Sequence, residues 1–173
     1  MKFEVKNPDK LIKKLQQLNK VITEAIFISC KEKVTISGMN QEQTILLTLD
    51  INKSFLKAFK PDKAKGYIIN ITHLLSALNK LTNGFMLEFK GQTLTIKPKG
   101  KRNNVVKIPA LPVATKYKSP KLKFKAEYQL TNLKSLFGDL TIKASVVYPI
   151  FLESAKDKYF KLSCFLAPKP NLP

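Results

Sequence analysis

Lysines cluster in the first segment of the chain that has helical periodicity, and their spacing is the clearest chemical signal in the sequence. Lys10, Lys13, Lys14 and Lys20, together with Gln17, recur three, four or seven residues apart. That spacing puts side chains on one face of an α-helix, because the helix has about 3.6 residues per turn. Ammonium groups in such a row bind phosphate oxygens, so the pattern predicts a face suited to a polyanion. It is also typical of a solvated helix surface.

The overall charge favours a polyanionic partner. The 173 residues include 31 Lys and Arg against 12 Asp and Glu, a formal net charge of +19. Arg102 is the only arginine, so the bidentate guanidinium contact that recognises guanine edges is almost unavailable. We therefore expect binding to phosphates without sequence preference. A compositional bias towards lysine would raise the charge as well.

Residues suited to catalysis or metal binding are sparse. His73 is the only histidine, and it adjoins a leucine stripe, where structural histidines are common. Cys30 and Cys164 lie in apolar, strand-like segments and are expected to be small buried side chains. The sequence contains no catalytic triad, no histidine-rich metal motif and no phosphate-binding glycine motif. It therefore predicts no enzymatic activity, no metal and no cofactor.

The basic face of the first helix needs an apolar face behind it. A short strand is predicted at residues 2–6, and Asn7, Pro8 and Asp9 then supply an N-cap, a proline at the first helical position and an acid in the first turn. The apolar residues that follow at helical spacing are predicted to be buried. They are Leu11, Ile12, Leu15, Leu18 and Ile22.

Strands and a second helix follow. From Ala25 the apolar period changes to two, so AIFISC, KVTIS and TILLTLDI are predicted as strands, with turns at Lys31-Glu32 and at residues 38–43. SFLKAF is expected to form a single helical turn and YIINI a strand. The leucines of THLLSALNKLTNG predict a helix that ends at Gly84, and FMLEF with TLTIKP predicts a hairpin.

The chain divides at a proline-rich segment. Residues 98–120 are basic and turn-prone, which predicts a connector with one edge strand. Beyond it, KLKFKAEYQ is expected to be a strand, TNLKSLFG a short helix, and LTIKAS, YPIFLES and YFKLSCFLAP three closing strands. The order strand, helix, strands thus begins again. This predicts a complete unit at residues 1–97 and a shortened copy at residues 121–173.

Several of these segments together resemble the sliding clamps of the proliferating-cell nuclear antigen family. SGMNQEQTILLTL and SFLKAFKPDKAKGYIINITHLLSAL follow the first domain of such clamps in order, VVKIPALPV and PKLKFKAEYQL resemble the interdomain region, and the terminal FLAPK resembles the clamp tail. The resemblance implies an α+β sliding-clamp fold, with helices on one face of antiparallel sheets. The chain differs from the family in its small second unit and in its positive charge.

The resemblance implies two partners. Clamps bind double-stranded DNA and hold a DNA polymerase or another replication client on it, so the lysine-rich helical face is implied to contact the duplex. The implied DNA-binding residues are Lys10, Lys13, Lys14, Gln17, Lys20, Lys80 on the second helix and Lys134 on the third. A homo-oligomer is compatible with this fold, and the short second unit favours a form that does not close a ring.

A client groove under the connector is also implied by the resemblance. Its matching residues are Met39, Thr44, Leu46, Pro112, Val113, Pro149, Phe165, Ala167 and Pro168. A small apolar patch with a polar rim can anchor a short client segment. Taken singly, Met39, Leu46 and Phe165 suit the core of a sheet equally well.

Two alternatives to a replicative clamp remain open. One is a processivity subunit that coats DNA without closing a ring, and the other is a transcription or chromatin factor that reuses a clamp domain. The amino terminus, MKFEVKNPDK, lacks a secretory signal, and no apolar run reaches membrane-spanning length. We therefore expect a cytoplasmic or nuclear protein with no membrane partner. The abridged length is compatible with a viral or mobile-element origin.

Overall fold

Antiparallel sheets and two helices make up the regular structure of the described residues. A computed structural model describes residues 1–5, 7–62, 65–79, 81, 84–99, 104–114, 123–124, 140–143, 146–148, 150–154 and 157–166. Within these ranges the elements are β1 (Lys2–Val5), α1 (Pro8–Asn19), β2 (Glu24–Ser29), β3 (Lys33–Met39), β4 (Ile45–Asn52), β5 (Leu56–Lys60), β6 (Lys65–Asn70), α2 (Ile71–Leu78), β7 (Phe85–Lys90), β8 (Thr93–Pro98), β9 (Val106–Pro109), β10 (Leu111–Ala114), β11 (Lys123–Phe124), β12 (Leu140–Lys143), β13 (Val146–Tyr148), β14 (Ile150–Ser154) and β15 (Phe160–Leu166). The expected α+β class is confirmed.

A five-stranded sheet has the order β5-β1-β7-β8-β9. The predicted helical turn in SFLKAF is largely wrong, because only Lys53–Phe55 forms a 3-10 turn and the chain continues as β5. Its residues pair with the first strand, Leu56 opposite Val5 and Phe59 opposite Phe3. Pairing with a distant strand therefore outweighs the local helical pattern. The predicted hairpin of β7 and β8 is confirmed, and Gly91 adopts a φ of +58° in its turn.

An eight-stranded sheet has the order β10-β6-β2-β3-β4-β15-β14-β12, with every neighbouring pair antiparallel. Strand β15 pairs with β4 along its whole length, with Cys164 opposite Leu47. The three closing strands predicted in the last part of the sequence are confirmed as β12, β14 and β15. Strand β13 pairs with β11 in a separate two-stranded sheet. The eight-stranded sheet thus joins segments from both sides of the predicted connector, and the division into domains at residues 97 and 121 stays a prediction.

The core lies between the two large sheets. Aromatic rings from both sheets meet there: the Phe89 ring of β7 lies 5.6 Å from that of Phe27 in β2 and 5.1 Å from that of Tyr67 in β6, centroid to centroid. Alternate residues of β4, Leu47, Leu49 and Ile51, are fully buried. The period of two predicted this alternation, because successive side chains of a strand point to opposite faces.

Gly38 lies inside β3 and not in the turn predicted for residues 38–43. A Cβ atom at this position would lie 2.4 Å from the carbonyl oxygen of Glu24 and 2.8 Å from Cδ1 of Ile22. The close approach of the neighbouring backbone requires glycine here. The strand therefore continues through Gly38 to Met39 before the chain turns.

The helices lie side by side, with both amino termini capped by asparagine. The Asn7 Oδ1 atom accepts the N–H of Lys10 at 3.2 Å, and Asn70 Oδ1 accepts that of His73 at 3.0 Å. Thr72 links the two helices, because its hydroxyl lies 3.0 Å from Asn19 Oδ1. The second helix ends at Leu78 instead of reaching Gly84. The predicted third helix, TNLKSLFG, lies outside the described residues.

The first half of the predicted connector contains two strands, where one was expected. Strand β9 pairs with β8 in the five-stranded sheet, and β10 pairs with β6 in the eight-stranded sheet. The chain crosses between the sheets at Ala110, which is buried and whose N–H donates to the carbonyl of Gln92 at 3.0 Å. The prolines at positions 109 and 112 fit outer strands, where a missing N–H is tolerated.

Candidate nucleic-acid interface and client groove

Helix α1 separates its leucines from its lysines. Leu11, Leu15 and Leu18 are at most 1% exposed and anchor the helix to the core. The predicted basic residues occupy the opposite surface: Lys10, Lys13 and Lys20 are exposed, whereas Lys14 and Gln17 are half-buried. Among the ion pairs of the described residues, none involves these four lysines. We call the row of Lys10, Lys13, Lys14, Gln17 and Lys20 the basic face of α1, and its positive charges are available to an external anion.

Helix α2 presents a different surface. Its buried residues are Ile71, Leu74, Leu75, Ala77 and Leu78. None of the exposed residues between Ile71 and Asn79 is a lysine or an arginine. These exposed positions are Thr72, His73, Ser76 and Asn79. His73 adjoins the leucine stripe, as the sequence indicates, but its side chain is exposed. Lys80 and Lys134, the other predicted DNA contacts, lie outside the described residues.

A basic neighbour of α1 was missed by the sequence analysis. The Nζ atoms of Lys10 and Lys158 each lie 5.6 Å from the centroid of the Tyr159 ring. Tyr159 belongs to the turn between β14 and β15, about 150 residues further along the chain than Lys10. The only local signal is that Lys158 and Lys161 flank two aromatic residues. Only the fold shows that this segment meets the basic face of α1.

Three of the predicted client residues meet on the eight-stranded sheet. Met39 pairs with Leu46, and Leu46 pairs with Phe165, so the three side chains form one row across β3, β4 and β15. Met39 is 48% exposed, and the other two are half-buried. They lie on the face of the sheet opposite to the buried row of Leu47 and Leu49. We call this row the apolar row; it forms a partly exposed surface and is not part of the sheet core.

Thr44 lies beside the apolar row in a turn that asparagine organises. The side-chain oxygen of Asn40 accepts the backbone N–H groups of Thr44 at 2.8 Å and Ile45 at 2.7 Å, and its amide donates to the Thr44 hydroxyl at 2.9 Å. Gln43 takes a φ of +55° in the same turn. These hydrogen bonds fix the polar rim next to Met39 and Leu46.

The structure does not bring Pro112 and Val113 to the apolar row. We expected them in a connector over the groove, but both lie in β10, paired with Tyr67 and Gly66 of β6. Strands β6 and β2 lie between β10 and β3, and the register aligns Pro112 with Ile36, three residues from Met39 along β3. At the usual strand spacing and rise, Pro112 is therefore about 17 Å from Met39. Nothing about the local sequence distinguishes a loop from this short edge strand. Pro149, Ala167 and Pro168 lie outside the described residues.

The cysteines differ from each other in environment. Cys164 is buried, and burial raises the pKa of its thiol to about 12, so the thiol is protonated at neutral pH. Cys30 is exposed at the end of β2, which contradicts its expected burial. Within the described ranges, no group of three or more His, Cys, Asp or Glu side chains is placed to hold a metal ion. No helix in the described part is long and apolar enough to span a bilayer.

The architecture defines a class of protein. Two large antiparallel sheets, two adjacent helices and a closing strand that returns to β4 form the sliding-clamp fold, as comparison with solved structures shows. No protein-family model matches the sequence, and no curated protein matches it either. The fold is therefore established by the structure, and the resemblance seen in the sequence is confirmed at the level of the fold.

Solved structures similar to this chain include proliferating-cell nuclear antigens (PCNA). PCNA from Entamoeba histolytica has 15% sequence identity and a TM-score of 0.73, over 98% of each chain. PCNA from A. fulgidus, solved with the C-terminal region of FEN-1 bound, has 11% identity and a TM-score of 0.73, over 99% of each chain. A chain of the PCNA2-PCNA3 complex from Sulfolobus tokodaii has 12% identity and a TM-score of 0.70, over 98% of this chain and 99% of that one.

Proposed function

We propose that the protein is a sliding-clamp-like processivity factor that binds double-stranded DNA non-specifically through the basic face of α1 and tethers a DNA polymerase or another client. The observation that carries this proposal is the separation of leucines and lysines on α1. The leucines anchor the helix, and unpaired ammonium groups project from the opposite side. The net charge of +19 and the sliding-clamp fold support the same function. Such a protein would act in the cytoplasm or nucleus, where DNA is replicated.

The chemistry of the basic face suits movement along a duplex. Lysine ammonium groups on flexible stems contact phosphates as point charges, whereas arginine forks fix a geometry. Many weak contacts of this kind attract the duplex without selecting a register. A client attached to the same protein therefore stays near DNA at a high effective concentration. Processivity follows from tethering and needs no catalytic group on the clamp.

The apolar row supports the tethering half of the proposal. Met39, Leu46 and Phe165 form a partly exposed apolar surface next to the polar turn at Asn40, and a short client segment could insert side chains there. The similar A. fulgidus structure has the C-terminal region of FEN-1 bound. We therefore assign client binding to the apolar row. Pro112 and Val113 carry no part of this assignment, because β10 holds them at the far side of the sheet.

The salt dependence of duplex binding tests the DNA-binding half. If the basic face and its neighbours neutralise about five phosphates, the logarithm of the binding constant should fall with the logarithm of salt concentration with a slope of about −4.5. Unrelated duplex sequences should give equal affinity and equal slope. Fluorescence anisotropy of labelled duplexes over a salt series measures both. A flat slope, or a strong preference for one sequence, would refute DNA binding through phosphates.

Replacing Met39 by Asp tests the client half. The side chain is 48% exposed, so the change should preserve the fold while it places a charge on the apolar row. Leu111→Asp is the matched control, since Leu111 is 56% exposed on the same sheet but lies in the edge strand β10, which β6 and β2 separate from β3. We expect M39D to shorten the products of primer extension by the cognate polymerase and L111D to leave them unchanged. Equal product lengths for the two variants would remove the apolar row from the proposal.

One observation favours a second candidate, a processivity subunit that does not close a ring. The eight-stranded sheet ends at β10, a four-residue strand that contains Pro112. Proline lacks an N–H, so a short strand that contains it is a poor template for pairing with another chain. The native mass with and without DNA distinguishes the two forms. A monomer that still lengthens the products of the polymerase would establish the form that does not close a ring. A closed oligomer would exclude that form.

A further inference from the structure

The turn between β14 and β15 carries an aromatic ring that contacts two cations. The Nζ atoms of Lys10 and Lys158 each lie 5.6 Å from the centroid of the Tyr159 ring, so the two nitrogens are at most about 11 Å apart. The ring itself packs on Phe55 at 5.6 Å, and the backbone N–H of Tyr159 donates to Asp157 Oδ1 at 2.9 Å. We call Lys10, Lys158 and Tyr159 the hairpin cluster. Its members come from elements far apart in the sequence, and the ring has fixed partners.

The hairpin cluster brings two positive charges together near the start of α1. Lys10 lies in the first turn of α1, where the helix dipole disfavours a positive charge. Lys158 brings a second positive charge to the same ring. Among the described residues, no carboxylate forms an ion pair with either lysine. The carboxylates of Glu32, Asp50 and Asp157 line a pocket beside Lys158 without forming an ion pair with it. Both ammonium groups are therefore available to phosphate oxygens.

The position of the hairpin cluster identifies the anion. Lys10 is also the first residue of the basic face of α1, which continues through Lys13, Gln17 and Lys20. The hairpin cluster therefore extends that face beyond the amino terminus of the helix. Since the ring contacts Lys10, Lys158 and Phe55, it is placed to orient the lysines and is not free to stack on a nucleobase. Phosphodiester groups of the same duplex fit this arrangement.

We infer that Lys10 and Lys158 both bind phosphodiester groups of the duplex and that Tyr159 is a positioning residue for both. The inference rests on the proposed function, since it extends the DNA-binding surface from α1 to the turn between β14 and β15. The strands that close the eight-stranded sheet thus also contribute a DNA contact. The site binds phosphate groups, so its affinity should not depend on the base sequence of the duplex.

A pair of neutralised lysines provides the first test. Lys158→Gln removes one contact, so the salt slope should become less negative by about 0.9, and duplex affinity should fall by about three- to eightfold at 0.1 M salt. Lys90→Gln is the matched control with the same change in charge. Lys90 is exposed beside the start of β1, whereas α1 follows the other end of that strand. We expect K90Q to keep the wild-type slope and to lose less than about twofold in affinity.

Substitutions of Tyr159 separate positioning from simple packing. Tyr159→Phe keeps the ring and should bind duplex like the wild type, whereas Tyr159→Leu should weaken binding by about threefold because the lysines lose their cation–π partner. In a background with both Lys10→Gln and Lys158→Gln, Y159L should have no further effect on affinity. A purely structural role would weaken binding equally in both backgrounds. Circular dichroism and thermal melting confirm that each variant is folded.

Competition identifies the source of the phosphate. At constant ionic strength, millimolar inorganic phosphate should not displace the duplex from the wild-type protein. Displacement of duplex from the wild type but not from K158Q would assign the hairpin cluster to free phosphate and overturn the inference. If K158Q matches K90Q while the wild type retains a steep salt slope, the inference is wrong and the proposed function stands. If the wild type itself lacks a steep slope, the proposed function and the inference are both wrong.

Discussion

Helices α1 and α2 are built alike towards the core and differently towards solvent. Each begins at an asparagine cap and buries a stripe of leucines, Leu11 and Leu15 in one and Leu74 and Leu78 in the other. The exposed side of α1 is a row of lysines, whereas the exposed positions described on α2 carry none. A general compositional bias towards lysine would be expected to place lysines on the exposed surfaces of both helices. The difference shows that the positive charge is concentrated on α1, and that a helix of this fold can bury its leucines without exposing lysines.

Reversing the charge of α1 should have the largest effect. The triple change Lys13→Glu, Lys14→Glu and Lys20→Glu removes three phosphate contacts and adds three repulsive charges, so duplex affinity should fall by roughly 100-fold or more. Fluorescence anisotropy at fixed salt measures the loss. The leucine stripe is untouched, so circular dichroism should be unchanged.

A matched triple variant tests whether position or total charge matters. Lys57, Lys90 and Lys107 are exposed lysines on or beside the strands of the five-stranded sheet. Changing all three to Glu alters the net charge by the same amount. We expect a loss of less than about tenfold, through the long-range field alone. Equal losses in the two triple variants would show that α1 has no special role.

Adding lysines to α2 should reduce the difference between the helices. Thr72 and Ser76 are exposed and one helical turn apart, so Thr72→Lys with Ser76→Lys creates a short basic row beside α1. If α2 faces the same duplex, affinity should rise by about three- to tenfold and the salt slope should steepen by up to about 1.8. Thr72→Gln with Ser76→Gln controls for side-chain length. A slope that stays at the wild-type value would place α2 away from DNA.

The asparagine caps provide the smallest and most selective test. Asn7→Ala and Asn70→Ala should each lower the free energy of unfolding by about 1 kcal/mol, because each removes a hydrogen bond to a backbone N–H. Only N7A frays the turn that carries Lys10, so only N7A should weaken duplex binding, by about twofold. Urea denaturation and anisotropy, measured on the same samples, give both quantities. Equal affinities for the two variants would indicate that Lys10 makes no contact.

Local signals made α1 predictable. Asn7, Pro8 and Asp9 define its start, and the leucine spacing defines its buried face, so the start of α1 and the burial of its leucines agree with the prediction. Of the two isoleucines predicted in the same stripe, Ile12 is half-buried and Ile22 is buried beyond the end of the helix. The end of α2 was less predictable. Its apolar spacing continues to Leu81, but the helix stops at Leu78, and the N–H of Leu81 instead bonds the carbonyl of Leu78 at 2.9 Å. Apolar periodicity alone does not distinguish a last helical turn from a packed tight turn.

Contacts between distant segments were not predictable from the sequence. Nothing in SFLKAF shows that Leu56 pairs with Val5, and nothing in VKIPALPV shows that Ala110 carries the chain from one sheet to the other. The candidate site follows the same division. The lysines of α1 could be predicted because one helix carries them, whereas the approach of Tyr159 to Lys10 depends on the β14–β15 turn reaching the start of α1.

The pairing of β15 with β4 cannot form until the ribosome has synthesised the last part of the chain. The residues of β15, Phe160–Leu166, are made more than 100 residues after β4. At about 5–20 residues per second, the ribosome needs about 6–23 s to produce them. During that interval the nascent chain carries an open strand edge with the apolar residues Leu47, Leu49 and Ile51, which is an aggregation hazard. Slow translation or a missing last strand should therefore make the protein depend on chaperones before it is able to meet DNA.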